Sequence, residues 1–221
     1  MNIKENPTMK RLKPLALALC AVLLVVGTIL GTVAYLQDTA SVVNTFTVGN
    51  VHLKLDEAVV DEKGEPTGGR TETGNAYHLL PGGTYTKDPT VTVLKGSEES
   101  YVRMLVTINC YDELATIFGD PFLPQYFVEG WDNAVWVSTQ VISKDASANT
   151  ATYEFRYFET VKPEKDTDLV LDALFDAVTV PNTMTGDQLA TIADLKITVE
   201  AHAIQATGFA NADEAWTAFS K

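Results

Sequence analysis

Tyr101-Val102-Arg103-Met104-Leu105-Val106-Thr107-Ile108-Asn109-Cys110 alternates without a break. Val102, Met104, Val106 and Ile108 fall on one face. Tyr101, Arg103, Leu105 and Thr107 fall on the other. A repeat of two places successive side chains on opposite faces of an extended chain, so this stretch predicts a half-buried strand. The same pattern recurs on both sides of it. Residues 195–206 alternate, with Ile197, Val199, Ala201 and Ala203 in register. Residues 134–142 and 151–158 predict a strand pair joined by the polar stretch 143–150. Residues 85–94, rich in Thr and Val, predict another strand.

Turn chemistry separates these runs. Leu80-Pro81-Gly82-Gly83 predicts a tight turn, because Pro presets φ and Gly takes positive φ without a side-chain clash. Residues 61–75, rich in Gly, Thr and Glu, predict a mobile polar loop. Residues 162–168 predict a charged loop, and 177–180 a strand after a turn or short helix. Three helices are short. Residues 112–118 carry Leu114, Ile117 and Phe118 at helical spacing and stop before Pro121 and Pro124, and 185–193 form a second. The third is the chain end. There Asn211 is a helix N-cap with Glu214 three residues on, and Ala212, Ala215, Trp216 and Phe219 form one apolar stripe that predicts a lid on the sheet core. Many short strands with few helices predict a mainly β fold, a jelly-roll-like antiparallel β-sandwich with short flanking helices.

The chain has 221 residues and a formal net charge of −13. Four bases, Lys4, Lys10, Arg11 and Lys13, and one acid, Glu5, lie in residues 1–34. The remainder holds 12 basic residues against 28 acidic ones. A body this acidic repels nucleic acid and anionic headgroups, which excludes both as ordinary partners. Residues 15–36 contain no charge; as a helix these 22 residues would reach about 33 Å, enough to cross a bilayer. A basic start, an apolar run and the small-residue exit Gly31-Thr32-Val33-Ala34 predict a signal peptide over 1–34, cut between Ala34 and Tyr35. The compact Met9-Lys10-Arg11 makes Met9 a plausible start. A retained membrane anchor uses the same run without the cut. Cys20 leaves with the signal, so Cys110 is the one thiol of the mature body and no internal disulfide forms. Its place after an alternating run predicts a buried, inert thiol.

Residues 44–55 alternate as well. Phe46 and Val48 share a face, and Val51, Leu53 and Leu55 share one after a break at Gly49-Asn50. This predicts an extended segment over 35–50, then a sandwich domain over 51–221.

The sequence carries none of the familiar catalytic patterns. His52, His78 and His202 are dispersed, and no His-Glu-x-x-His pair marks a zincin. There is no nucleophile elbow, no phosphate-cradling Gly loop and no Cys-x-x-Cys. Asp61, Glu62 and Glu65, and Asp166 with Asp168, lack the ligand spacing of a calcium loop and are read as solvated. Tyr126, Phe127, Trp131 and Trp136 cluster around Pro124. A core edge explains them better than a sugar-stacking surface, because aromatics bury large areas. No catalytic residue, cofactor or metal is assigned.

Gly31-Thr32-Val33-Ala34-Tyr35-Leu36-Gln37-Asp38, followed by Asn44-Thr45-Phe46-Thr47-Val48-Gly49-Asn50-Val51, resembles the export signal and mature N-terminus of the TasA and camelysin-like family. These are Firmicutes proteins cut by the dedicated signal peptidase SipW. Leu80-Pro81-Gly82-Gly83-Thr84-Tyr85-Thr86-Lys87 resembles the family's turn before its second strand region, and residues 201–219 its C-terminal strand and Trp-bearing helix. Residues 110–190 carry no family pattern. The resemblance implies cleavage at Ala34–Tyr35, a jelly-roll-like domain and a place in the extracellular matrix or at the surface of a Gram-positive cell. It also implies self-association into fibres, the freed segment with Asn44, Phe46, Val48 and Gly49 adding as a strand to a neighbour. Membrane contact is expected only through the uncut signal. The alternatives are a camelysin-like metallopeptidase, which the absent zinc motif does not support, and a non-polymerising adhesin.

Overall fold

The computed structural model describes residues 50–219. The signal, the Ala34–Tyr35 cleavage site and the segment with Asn44, Phe46, Val48 and Gly49 lie outside the described residues.

The alternating run 101–109 becomes a central strand of one of two four-stranded sheets. Strands are β1 (Leu53–Val60), β2 (Pro66–Thr71), β3 (Thr84–Thr86), β4 (Thr90–Val93), β5 (Ser100–Asn109), β6 (Val128–Glu129), β7 (Trp136–Asp145), β8 (Thr150–Tyr157), β9 (Leu169–Val170), β10 (Ala177–Thr179) and β11 (Ile197–Gln205). Helices are α1 (Tyr111–Phe118), α2 (Gly186–Thr191) and α3 (Ala212–Phe219), with a 3-10 turn at Pro124–Tyr126. The fold is mainly β. All pairings are antiparallel, in sheets of order β11-β5-β8-β7, β2-β1-β4-β9 and β3-β10-β6.

Val102, Met104, Val106 and Ile108 of β5 are all buried, as the alternation requires. They meet Tyr153 and Phe155 of β8, Val91 and Val93 of β4, and Leu174, Phe175 and Val178 in one continuous core. Leu53 and Leu55 of β1 pack on the same core. Trp136 and Phe127 are buried within it, so the aromatic group near Pro124 is a core edge; Tyr126 alone of the four stays largely exposed. The Trp131 indole N–H donates to Trp136 O at 2.8 Å, and its ring meets Phe155 edge-on.

Several predicted elements differ. Residues 61–75 are not a free loop. Asp61 closes a turn by accepting from the backbone of Lys63 and Glu65, and β2 then pairs with β1. Backbone pairing needs no apolar side chains, and β2 is an exposed edge without them. Gly64, at φ 81°, lies under Tyr85, where a Cβ would come within 2.6 Å of the Tyr85 backbone. The 85–94 run splits at Lys87-Asp88-Pro89 into β3 and β4, which join different sheets. The first strand starts at Leu53 and continues to Val60. Leu169–Val170 pairs with β4 where a turn or helix was expected. The Leu80–Gly83 turn forms as expected: Gly83 N–H donates to Leu80 O at 3.0 Å and Gly82 has φ 76°.

Caps follow the sequence. Thr185 and Gln188 form a reciprocal capping box on α2. Asn211 Oδ1 accepts from Glu214 N–H at 3.0 Å, while Glu214 reaches back to Ala210 N–H. The α3 stripe is a lid, but it covers the outer, polar face of the β5–β8–β11 sheet. Arg103 stands opposite His202 on one side and Arg156 on the other, so these three share that face. Trp216 lies over Arg103, and Phe219 stacks on His202 with centroids 4.9 Å apart. Asp213 on α3 accepts a hydrogen bond from Arg156.

Candidate functional site

The three histidines do not converge. His52 is exposed and bonds through its backbone N–H to Ser97. His78 is exposed beside Glu62. His202 lies on β11, where its Nδ1 accepts from Arg103 Nε at 3.3 Å. Burial first, then the Arg103 charge, lowers its pKa. Among the described residues, no group of three His, Cys, Asp or Glu side chains is arranged to hold a metal ion. Cys110 is half-buried and caps α1 in the left-handed region, φ 55°. Burial, then Glu113 and Asp194, raises its thiol pKa, which suits an inert group.

Two features of the described body can engage a partner or a ligand. The first is the outline of the sheets. Among the described residues, β7 and β11 form the edges of the four-stranded sheet around β5. β7 is broken by register shifts, a feature that discourages edge pairing. β11 pairs with β5 in unbroken register from Ile197 to Gln205. β1 runs close to β11, yet no pairing joins them among the described residues.

The second is a cavity of about 630 Å³. The segment before the Leu80–Gly83 turn forms one wall with Asn75 and Tyr77. Tyr85 and Lys87, in and just after β3, line it as well, with Leu189 and Leu195. Two of its polar lining side chains, Asn75 and Lys87, are held by Glu57 of β1. Leu53, Leu55 and Glu57 share a face of that strand, so the alternation that half-buries two leucines against the core also buries a carboxylate. Lys87 answers it, with Nζ donating to Glu57 Oε2 at 2.5 Å, and both residues are buried. The other carboxylate oxygen accepts from Asn75 Nδ2 at 2.8 Å. Asn75 is fixed further: Nδ2 also donates to Ala58 O at 2.8 Å, and Oδ1 accepts from Val60 N–H at 3.1 Å. Tyr77, whose hydroxyl donates to Thr86 O, packs edge-on against Tyr85. Burial, then the Glu57 charge, pushes the Tyr77 phenol well above its ordinary range.

A second buried charge lies on the opposite face of β1. Asp56 accepts from Arg70 Nε at 2.5 Å and pairs with Lys54 at 2.8 Å. Burial works against its ionised form, but the Lys54 and Arg70 hydrogen bonds outweigh it and the carboxyl pKa is lowered. None of these ionic groups stands out in the sequence as a motif. The alternation of β1, continued past Leu55, is the signal that places Glu57 inside. Comparison with family models, with curated proteins and with solved structures finds no match for this chain.

Proposed function

We propose that the chain is a secreted structural subunit of an extracellular matrix or cell-surface fibre, one that self-associates through its N-terminal strand and has no catalytic residues. The observation that carries this reading is the succession at the N-terminus: a basic start, an uncharged run, a small-residue exit at Ala34, then the alternating Asn44, Phe46, Val48 before Gly49. The β-rich body supports it. An added strand gains its affinity from main-chain hydrogen bonds to an open sheet edge, and the unbroken β11 edge beside β1 offers such a row. Release of the strand by signal peptidase then makes export the trigger of assembly.

Electron microscopy and sedimentation decide this. Protein beginning at Tyr35 forms filaments, and protein beginning after Asn50 stays monomeric at the same concentration. Filaments from both, or from neither, reject the reading. N-terminal sequencing of exported material starting far from Tyr35 rejects the cleavage step.

A further inference from the structure

A buried ion pair stabilises a fold weakly, because desolvation consumes most of the attraction between the charges. The Lys87–Glu57 pair is therefore not accounted for by stability alone. One carboxylate is bonded through separate oxygens to an amine, Lys87 Nζ, and to a carboxamide nitrogen, Asn75 Nδ2. The Asn75 carbonyl oxygen accepts from a fixed backbone donor, Val60 N–H. Asn75 and Lys87 line the same cavity beside Tyr77 and Tyr85. The geometry points to an intramolecular isopeptide bond between Lys87 Nζ and Asn75 Cγ, formed with Glu57 as the proton carrier.

The step balances without any outside reagent. Lys87 passes a proton to Glu57, which converts the ion pair into a neutral amine and a carboxylic acid. The amine lone pair attacks Asn75 Cγ, and the C–N bond forms. Negative charge collects on Oδ1, where the Val60 N–H stabilises it. Glu57 delivers its proton to Nδ2 and takes one from the attacking nitrogen. The Cγ–Nδ2 bond breaks, ammonia leaves through the cavity, and Glu57 ends protonated. Holding all three groups on one folded scaffold supplies the effective concentration that a lysine and an amide lack in water. The product ties the segment before the Leu80–Gly83 turn to the end of β3. This inference is independent of fibre assembly.

Intact-mass spectrometry of the purified folded protein tests it. The expected mass is about 17 Da below that of the sequence, the mass of one ammonia. Trypsin then releases residues 71–95 as one peptide, uncut at Lys87 and without fragment ions between 75 and 87. Lys87→Arg, Asn75→Ala and Glu57→Gln each restore the full mass. Full mass in the wild-type protein overturns the inference, whatever the variants do. So does a loss of ammonia with Lys87 still cut by trypsin, which marks a succinimide at Asn75.

Discussion

Arg103 holds its guanidinium carbon 4.3 Å from the centre of the Trp216 ring while Nη1 donates to Glu154 Oε1 at 2.9 Å. One side chain thus joins the C-terminal helix to a carboxylate on the neighbouring strand. Glu154 also takes Arg156 at 3.1 Å and the Thr139 hydroxyl at 2.7 Å, and Arg156 returns to α3 through Asp213. The charged chain Arg103–Glu154–Arg156–Asp213 is closed into a ring through α3 itself, by Trp216 lying over Arg103.

Trp216→Ala removes the indole that buries Arg103. Deleting a buried aromatic side chain costs about 3–5 kcal/mol. The expected result is an unfolding free energy lowered by that amount, read as a lower urea midpoint, with amide exchange in α3 rising more than in β5. A midpoint within error of wild type contradicts the lid.

The same ring sets a pH response. Burial opposes ionisation of Glu154, but the hydrogen bonds from Thr139, Arg156 and Arg103 prevail, so its pKa is lowered. A lowered carboxyl pKa contributes stability that is complete above the ordinary value of about 4.3 and is lost as pH falls through the folded value. His202 acts in a second window. Its pKa is also lowered, so stability declines as pH drops below the ordinary histidine value of about 6.5 until the folded imidazole is itself protonated. His202 faces Arg103, Glu154 and Glu200, and Phe219 covers it. Stability measured from pH 8 to 3 therefore falls in two steps. His202→Gln removes the upper step and leaves the acid one. A single step unchanged by that substitution refutes the assignment.

What was legible in the sequence follows from how each element is built. β5, β8 and β11 are read from alternation because one face is buried in a core and the other is not. β2 is invisible to that test. Pro66-Thr67-Gly68-Gly69-Arg70-Thr71 has no apolar face, and its pairing rests on backbone bonds and on Arg70 reaching Asp56 and Asp88. The strand break at Lys87-Asp88-Pro89 was hidden by the β-branched residues on both sides. The Lys87, Glu57 and Asn75 group was beyond reach because the three lie 12 to 30 positions apart, brought together by the Leu80–Gly83 turn and by β1. Glu57 alone was recoverable, by extending the Leu53, Leu55 face one step. The apolar stripe of α3 predicts a lid on the core, but the helix covers the polar face around Arg103, since an amphipathic pattern does not say which surface it meets.

Cys110 offers a test of the inert thiol. Thiolate is the reacting species, and burial with the charges of Glu113 and Asp194 raises the pKa here. Alkylation of the native protein at pH 7 is expected to run slower than in denaturant, because the raised pKa and reduced access both lower the available thiolate. Equal rates in the two states contradict this placement.

Arg70 decides whether residues 61–75 behave as a strand or as a loop. Its Nε and Nη1 bond Asp56 and Asp88, and Nη2 reaches the carbonyls of both, so one guanidinium clamps β2 onto β1 and the approach to β4. Arg70 is 37% exposed, which screens the pair, so its loss costs about 1 kcal/mol, the upper end for a solvent-exposed ion pair. The local effect exceeds the global one, because β2 has no buried side chain to hold it once the clamp is gone. Arg70→Ala is therefore expected to shift the melting midpoint little. It should still open a fast proteolytic site in residues 61–75, read by timed digestion with a protease that cuts after Glu. Wild-type protein that is cut there at the same rate shows that the strand does not persist in solution.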